Sequence, residues 1–339
     1  MQTVAYAAKV GLNGRHWEGV RLHVVTGKGG TGKTTVAAAL ALALAAGGQK
    51  VALVEVEERQ GLAQLFDVPP LPYAERKLAV APRGGDVYGL AVDAHEAMHE
   101  YLEMYYHLGR AGRALDRMGV VDFATTVAPG LRDVLLTGKT YEVTRRRTAS
   151  GSPVYDAVVL DAPPTGRITR FLNVTAAVTS LARVGPVNKH ARVTMDLIRS
   201  PETAVHVVTL LEEMPVQETL DAIDELRDTE IPVGAVIVNQ VREHHLDSRE
   251  LVAARRGQLE LDAVQDGLSA AGLAATEAAV EQLVADAADH AERVALEADQ
   301  RALIEKAGRP VYQLPRVAAG IDLTALYELA EALADQGAS

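Results

Sequence analysis

Eight consecutive residues, Gly27-Lys28-Gly29-Gly30-Thr31-Gly32-Lys33-Thr34, have the spacing GxxxxGK[ST]. Glycines at such intervals let a loop curl until its backbone N–H groups converge on one anion. A helix starting at the end of the loop then adds the positive end of its dipole. The chemistry served by this arrangement is the binding of a nucleotide's phosphate chain. Lys33 is expected on the β- and γ-phosphates and Thr34 on a magnesium ion. The flanks fit: apolar, β-branched Leu22–Thr26 precedes the loop, and Thr35–Ala46, rich in Ala and Leu, reads as the helix after it. Gly27 through Thr34, together with Thr35, are the expected phosphate-binding residues.

A metal-bound nucleotide also needs an acidic group on a neighbouring strand. Tyr155-Asp156-Ala157-Val158-Val159-Leu160-Asp161 places Asp161 at the C-terminal end of an apolar strand, the end that faces the ligand crevice in α/β sheets. Its plain alternative is a helix N-cap. Pro164, Thr165 and Gly166 follow in the turn Ala162-Pro163-Pro164-Thr165-Gly166, which reads as a phosphate-sensing switch. Thr34 and Asp161 are thus the expected magnesium residues, Asp161 through water.

A second constellation, His95-Glu96-Ala97-Met98-His99, spells HExxH, which on a helix could hold zinc for hydrolysis. A zinc protease needs a third protein ligand. The extended motif lacks its glycine, because Glu100-Tyr101-Leu102 stands there, and His107 lies eight residues beyond His99. The pair therefore reads as a chance match on a helix.

Positioning the phosphate loop and Asp161 takes a sheet. Seven short apolar runs, Leu22–Thr26, Val51–Val56, Val87–Val92, Val154–Leu160, Ala204–Leu210, Val233–Val238 and Val311–Leu314, alternate with helical stretches. This predicts an α/β fold, a mostly parallel sheet covered on both faces by helical crossovers. The expected organisation is a flexible tail over residues 1–20 and one domain over 21–339. Helical insertions are expected at about 94–150, broken at Gly109, Gly112, Gly119 and Pro129-Gly130, and at about 169–199. Asp247–Ala307 reads as a long solvated helix or helical pair.

The 339 residues carry 34 Lys+Arg against 45 Asp+Glu, a net charge of −11, which opposes a nucleic-acid partner. There is no cysteine, so disulfides, thiolate metal sites and a Cys nucleophile are excluded. The N-terminus lacks the pattern of a signal peptide, and the longest apolar run, Val36–Ala46, is too short to span a bilayer. A cytoplasmic protein is expected.

Lys28, in Lys-Gly-Gly-Thr-Gly-Lys-Thr, resembles the deviant phosphate loop of a class of dimeric ATPases. These include the arsenite-pump ATPase, tail-anchored-protein targeting ATPases, MinD and ParA proteins and nitrogenase iron protein. Within the class, Asp161-Ala-Pro-Pro-Thr-Gly-Arg-Ile-Thr-Arg-Phe-Leu172 is similar to the switch Asp-Thr-Ala-Pro-Thr-Gly-His-Thr-Leu-Arg of the arsenite-pump and tail-anchor branch. Glu218-Thr219, Val238-Asn239-Gln240 and Leu314-Pro315-Arg316 extend the likeness, which is greatest to cytosolic actinobacterial members.

The resemblance implies a P-loop fold with a helical subdomain, hydrolysis of ATP to ADP with Mg2+, and a dimer, either of identical chains or with a paralogous ATPase. It implies that Lys28 reaches the partner subunit's nucleotide as an arginine finger does, a contact worth ~10³–10⁵ in rate in other P-loop enzymes. Asn239 matches the adenine-reading asparagine, and Leu314, Pro315 and Arg316 match the adenine-packing segment. A protein client, such as an apolar helix, would meet the helical insertion. There Met98, Leu102, Met104, Leu108, Leu115 and Met118 read either as an adaptable groove or as subdomain core.

Departures from the family pattern are equally specific. Glu55-Val56-Glu57-Glu58-Arg59-Gln60 stands where the family has Ser-Thr-Asp-Pro-Ala-His, so Glu57 takes the place of the water-orienting Asp with one extra methylene. Slow hydrolysis is expected, since an ångström of misplacement costs ~10²-fold. Arg167 replaces a histidine, and the thiolates that hold arsenite or zinc in relatives are missing. The acidic C-terminal helix opposes a MinD-like role on anionic lipid.

Overall fold

A computed structural model describes residues 17–57, 59–82, 84–106, 129–174, 186–318 and 320–338. Short β-branched runs form β1 (Leu22–Gly27), β2 (Lys50–Glu55), β4 (Asp86–Ala91), β5 (Ala157–Asp161), β6 (Thr203–Thr209), β7 (Val233–Val241) and β8 (Val311–Pro315). The sequence reading missed β3 (Arg76–Val80), and the reason is physical. Only Ala79 of its residues is buried, it pairs antiparallel with β4 at the sheet edge, and its register shifts between Lys77 and Ala79. A charged, irregular edge strand carries no apolar signal. The sheet order is β3-β4-β2-β5-β1-β6-β7-β8, and every pairing other than β3–β4 is parallel.

Successive residues of the central strands serve opposite faces, as the period of two requires. Val24, Ala52, Val54, Val158 and Leu160 join one core, while Val25, Val51, Leu53 and Val159 join the other. The second core is covered by α1 (Lys33–Ala45), α2 (Gly61–Leu65) and α11 (Leu323–Asp335). Helix α1 is buried almost all round, so its unbroken Val36–Ala45 run of Ala, Val and Leu needs no polar face. The first core is covered by α4 (Pro129–Arg145), α5 (Thr165–Leu172), α6 (Pro186–Ile198) and α7 (Glu213–Asp228).

Helices α3 (Ala94–Tyr106) and α4 fall within the expected span 94–150 and α6 within 169–199, while α5 begins before the second span. Met98 is buried with Ala97 and Leu135, and Leu102 packs against them, so both serve a small core of the subdomain. Met118, Leu108, Leu115, His107, the breaks at Gly109, Gly112 and Gly119, and the side chain of Met104 lie outside the described residues, as does Glu58. The stretch read as one long helix or a pair is three: α8 (Ser248–Arg255), α9 (Leu261–Ala270) and α10 (Glu277–Lys306). Asp247 starts α8 with a capping box to Glu250, and Thr276 caps α10.

Of the expected tail, residues 1–16 lie outside the description, whereas Trp17 is packed. Its ring lies 4.5 Å from His206 and 5.4 Å from both His23 and Tyr312. His23 Nδ1 and His206 Nε2 share a hydrogen bond of 3.1 Å inside the core. Burial holds His23 down at about 3 and His206 well below the ordinary value of 6.5. Both are neutral in the fold and take protons when unfolded, so their stabilising share is complete above pH 6.5 and is lost as pH falls toward 3. Comparison with a His23→Leu/His206→Leu variant isolates this share, because other titrations cancel. The stability difference, followed by urea titration of the single tryptophan, should change by about 2–4 kcal/mol between pH 7 and 5. A constant difference would show that the pair titrates alike in both states.

Candidate active site

The ends of β1, β2, β5, β6, β7 and β8 converge along one edge of the sheet, and every expected site residue lies on or just beyond them. Gly27 ends β1 against the backbone of β6. A Cβ there would lie 2.2 Å from the Val208 carbonyl oxygen, so the loop leaves the sheet where no side chain fits. The loop then closes on itself: the Thr31 hydroxyl donates to the Lys28 carbonyl at 2.8 Å. Gly32, at φ 87°, precedes α1 without a side-chain cap. The first N–H groups of α1 are therefore left for an incoming anion. Lys33 opens the helix, and among the described residues it forms no ion pair.

The next element to meet the loop is β5, hydrogen-bonded beside β1 with Asp161 opposite Val25. The Thr34 hydroxyl donates to Asp161 Oδ2 at 2.7 Å, joining the two residues expected at the metal. The Thr26 hydroxyl donates to the Pro163 carbonyl at 2.7 Å, tying the loop's strand to the turn that carries Pro164, Thr165 and Gly166. Burial pushes Asp161 up to about 7, against the pull of Thr34 and Lys33. Its Oδ1 is buried without a hydrogen-bond partner among the described residues. A buried carboxylate oxygen left bare is costly, and a hydrated divalent cation is the kind of group that satisfies it. The residues present therefore fit Mg2+.

Glu55 is a residue of this site that the sequence reading passed over. It ends β2 opposite Asp161 and is only 4 % exposed. Glu57, proposed from the resemblance, is half-buried two residues further on, close enough to raise both Glu55 and Asp161 electrostatically. The strand order that sets Glu55 opposite Asp161 is what the sequence alone does not show, and alignment with the family pattern drew attention to Glu57 instead.

At the other side, Asn239 near the end of β7 donates from Nδ2 to the Thr31 carbonyl at 2.9 Å. A Cβ on Gly32 would come within 2.4 Å of that nitrogen. Asn239 is thus in contact with the phosphate loop itself. Leu314 is fully buried in the core, while Pro315 and Arg316 are exposed beyond it, and the Arg316 N–H reaches the Val241 carbonyl at 2.8 Å. The Lys28 side chain is engaged by α7. Its Nζ lies 2.7 Å from Glu218 Oε1 on α7, and Glu218 Oε2 accepts from the Thr165 hydroxyl at 3.3 Å. Arg167 is exposed and lies 3.8 Å from buried Asp133. The HExxH histidines share a hydrogen bond of 3.1 Å on α3, and among the described residues no three His, Cys, Asp or Glu gather to hold a metal.

With this geometry in hand, the anion-transporting ATPase family model matches residues 20–197 and 185–268, most of the chain. The chain belongs to the anion-transporting ATPase family. It is 56% identical over 319 residues to ATPase BagA of Mycobacterium tuberculosis, covering 94% of both chains. A protein of Chlorobaculum tepidum named as an arsenical pump-driving ATPase is 22% identical over 230 residues, 66% of this chain and 52% of its own. ATPase ARSA1 of Chlamydomonas reinhardtii is 25% identical over 277 residues, covering 64% of this chain and 35% of its own. The protein is an ATPase, hydrolysing ATP to ADP and phosphate. Among the described residues no helix is long and apolar enough to cross a membrane.

Proposed function

We propose that the protein is a Mg2+-dependent, dimeric member of the family in which the nucleotide sets the arrangement of two subunits and, through them, the binding of a protein client or partner. The observation that carries this reading is the contact of Thr34 with Asp161, which brings the phosphate loop and the switch strand to one point. From that point the switch leads outward: Thr165 at the start of α5 bonds Glu218, and Thr169 bonds Glu225, both on α7. Movement of the Pro164-Thr165-Gly166 turn with the nucleotide's state is thereby passed to α7 and to Lys28. In this reading Lys33 and the loop N–H groups hold the phosphates, Asn239, Pro315 and Arg316 flank the base, and Glu57 orients the attacking water.

A second reading rests on Glu57, which stands in place of the family's aspartate and, with Glu55, acts electrostatically on Asp161. In it the chain turns over little and serves as a nucleotide-held subunit beside a paralogous ATPase. Steady-state hydrolysis with sedimentation, in ADP and in ATP, separates the two. The homodimer reading expects turnover per subunit to rise with protein concentration, with dimers promoted by ATP. It also expects Glu57→Asp to change the rate by up to ~10²-fold through the one-methylene shift of the carboxylate. Tight nucleotide binding by a chain that stays monomeric and nearly inactive, with Glu57→Asp unchanged, would overturn it in favour of the heteromeric scaffold.

A further inference from the structure

We infer that Glu55 is a second acidic positioning residue for the nucleotide's magnesium ion, acting with Asp161 and tying the ion to the segment that carries Glu57. The inference rests on the Mg2+-nucleotide reading above and goes beyond it, because the sequence pattern assigns the metal to Thr34 and Asp161 alone.

Glu55 and Asp161 are register partners on adjacent parallel strands, so their side chains leave the sheet on the same face. A Cβ on Gly61 would lie 3.3 Å from Glu55 Oε1, 3.2 Å from Thr34 Cγ2 and 3.9 Å from Thr34 Oγ1, so Glu55 and the threonine expected to hold the metal both border Gly61. The glutamate is 4 % exposed, and its two oxygens are not equivalent. Oε1 accepts the Gly61 N–H at 2.7 Å and caps the start of α2. Oε2 is buried with no hydrogen-bond partner among the described residues, as is Asp161 Oδ1. Two bare carboxylate oxygens of like charge on neighbouring strand ends repel one another, and a helix cap needs only one of Glu55's oxygens. The second oxygen, and the charge, are accounted for by a cation and its waters between Glu55, Asp161 and Thr34.

The same side chain makes a mechanical link. The contact from Glu55 to Gly61 joins the end of β2 to the start of α2, and Glu57 lies between them in sequence. Whatever holds Glu55 Oε2 therefore also fixes the span from which Glu57 acts.

The test uses the full chain with ADP and Mn2+ as the probe, reading metal affinity by electron paramagnetic resonance and ADP affinity separately in EDTA. Glu55→Gln keeps a carbonyl oxygen for the Gly61 N–H and removes the charge. It should weaken Mn2+ binding to the ADP complex ~10–100-fold, as loss of an outer carboxylate does, with metal-free ADP affinity within about 2-fold of wild type. Glu55→Ser, which installs the residue of the family pattern, provides an independent second variant and should weaken the metal by a similar factor. Glu55→Asp, which restores the charge one methylene short, should recover part of the loss. Unchanged Mn2+ affinity in either Glu55→Gln or Glu55→Ser would overturn the inference and leave Glu55 as a helix cap only. A wild-type chain that binds ADP but gains no Mn2+ site would overturn the magnesium reading as well, and the two failures are thereby told apart.

Discussion

Lys33→Ala is expected to abolish nucleotide binding while leaving the fold intact. Lys33 begins α1, and among the described residues it forms no ion pair, its charge acting on Asp161 only at longer range. Charge-assisted contacts to two phosphates are worth about 1.5–3 kcal/mol each, so losing both weakens binding by ~10²–10⁴-fold. The fold should tolerate the change, because alanine is the best helix former and the helix is anchored by Val36–Ala45 in the core. The check is ligand-dependent stability. A non-hydrolysable ATP analogue at about 100 times its dissociation constant should stabilise the wild-type chain by ~2.7 kcal/mol and the variant by no more than ~0.4 kcal/mol. An alanine variant that keeps wild-type affinity for the analogue would remove the phosphate role from this lysine.

Much of the fold was legible because burial on two faces leaves an unmistakable pattern. Runs such as Ala157-Val158-Val159-Leu160 and Val205-His206-Val207-Val208 fill both cores and could be nothing but interior strands. The features missed are those for which apolar content is not the organising force. β3 is held by backbone pairing at an edge and is mostly exposed. The division of Asp247–Ala307 into three helices is set by caps at Asp247 and Thr276 and by turns at Gly257 and Gly272, both with positive φ. Trp17 falls in the stretch expected as a flexible tail, because its packing depends on β1 and β6 bringing His23 and His206 to it.

The site divides in the same way. The phosphate loop was readable because its spacing is local, one strand end to one helix start. The place of Asp161 at a strand end was readable from the apolar run that leads to it. Glu55 was not, since its meaning depends on β2 lying beside β5, a neighbour more than a hundred residues away in sequence. The ion pair of Lys28 with Glu218 is likewise a fact of tertiary structure, joining the loop to α7.

That ion pair shapes the second large expectation: Lys28→Ala should leave nucleotide affinity within a few-fold of wild type and cut steady-state turnover by ~10³-fold or more. The Lys28 backbone is fixed by the Thr31 contacts to its carbonyl, and its side chain is paired with Glu218 on α7. Removing it therefore takes nothing from the chain's own phosphate contacts. The pair is partly exposed, at 31% and 36%, and such pairs are worth about 0–1 kcal/mol, so α7 holds the lysine only loosely. A subunit that docks against this edge and offers its nucleotide's phosphates can draw Lys28 off Glu218 at little cost. Once freed, Glu218 still accepts from Thr165, and the switch helix keeps its tie to α7. Mixing Lys28→Ala chains with chains disabled at Lys33 is the sharper check. If the lysine acts across the dimer, the active pairing combines Lys28 from the chain that cannot bind nucleotide with the loop of the chain that lacks Lys28. Mixtures should then regain turnover that neither variant shows alone. Equal loss of ADP affinity in Lys28→Ala and Lys33→Ala, or mixtures as inactive as their components, would put Lys28 back at its own subunit's site.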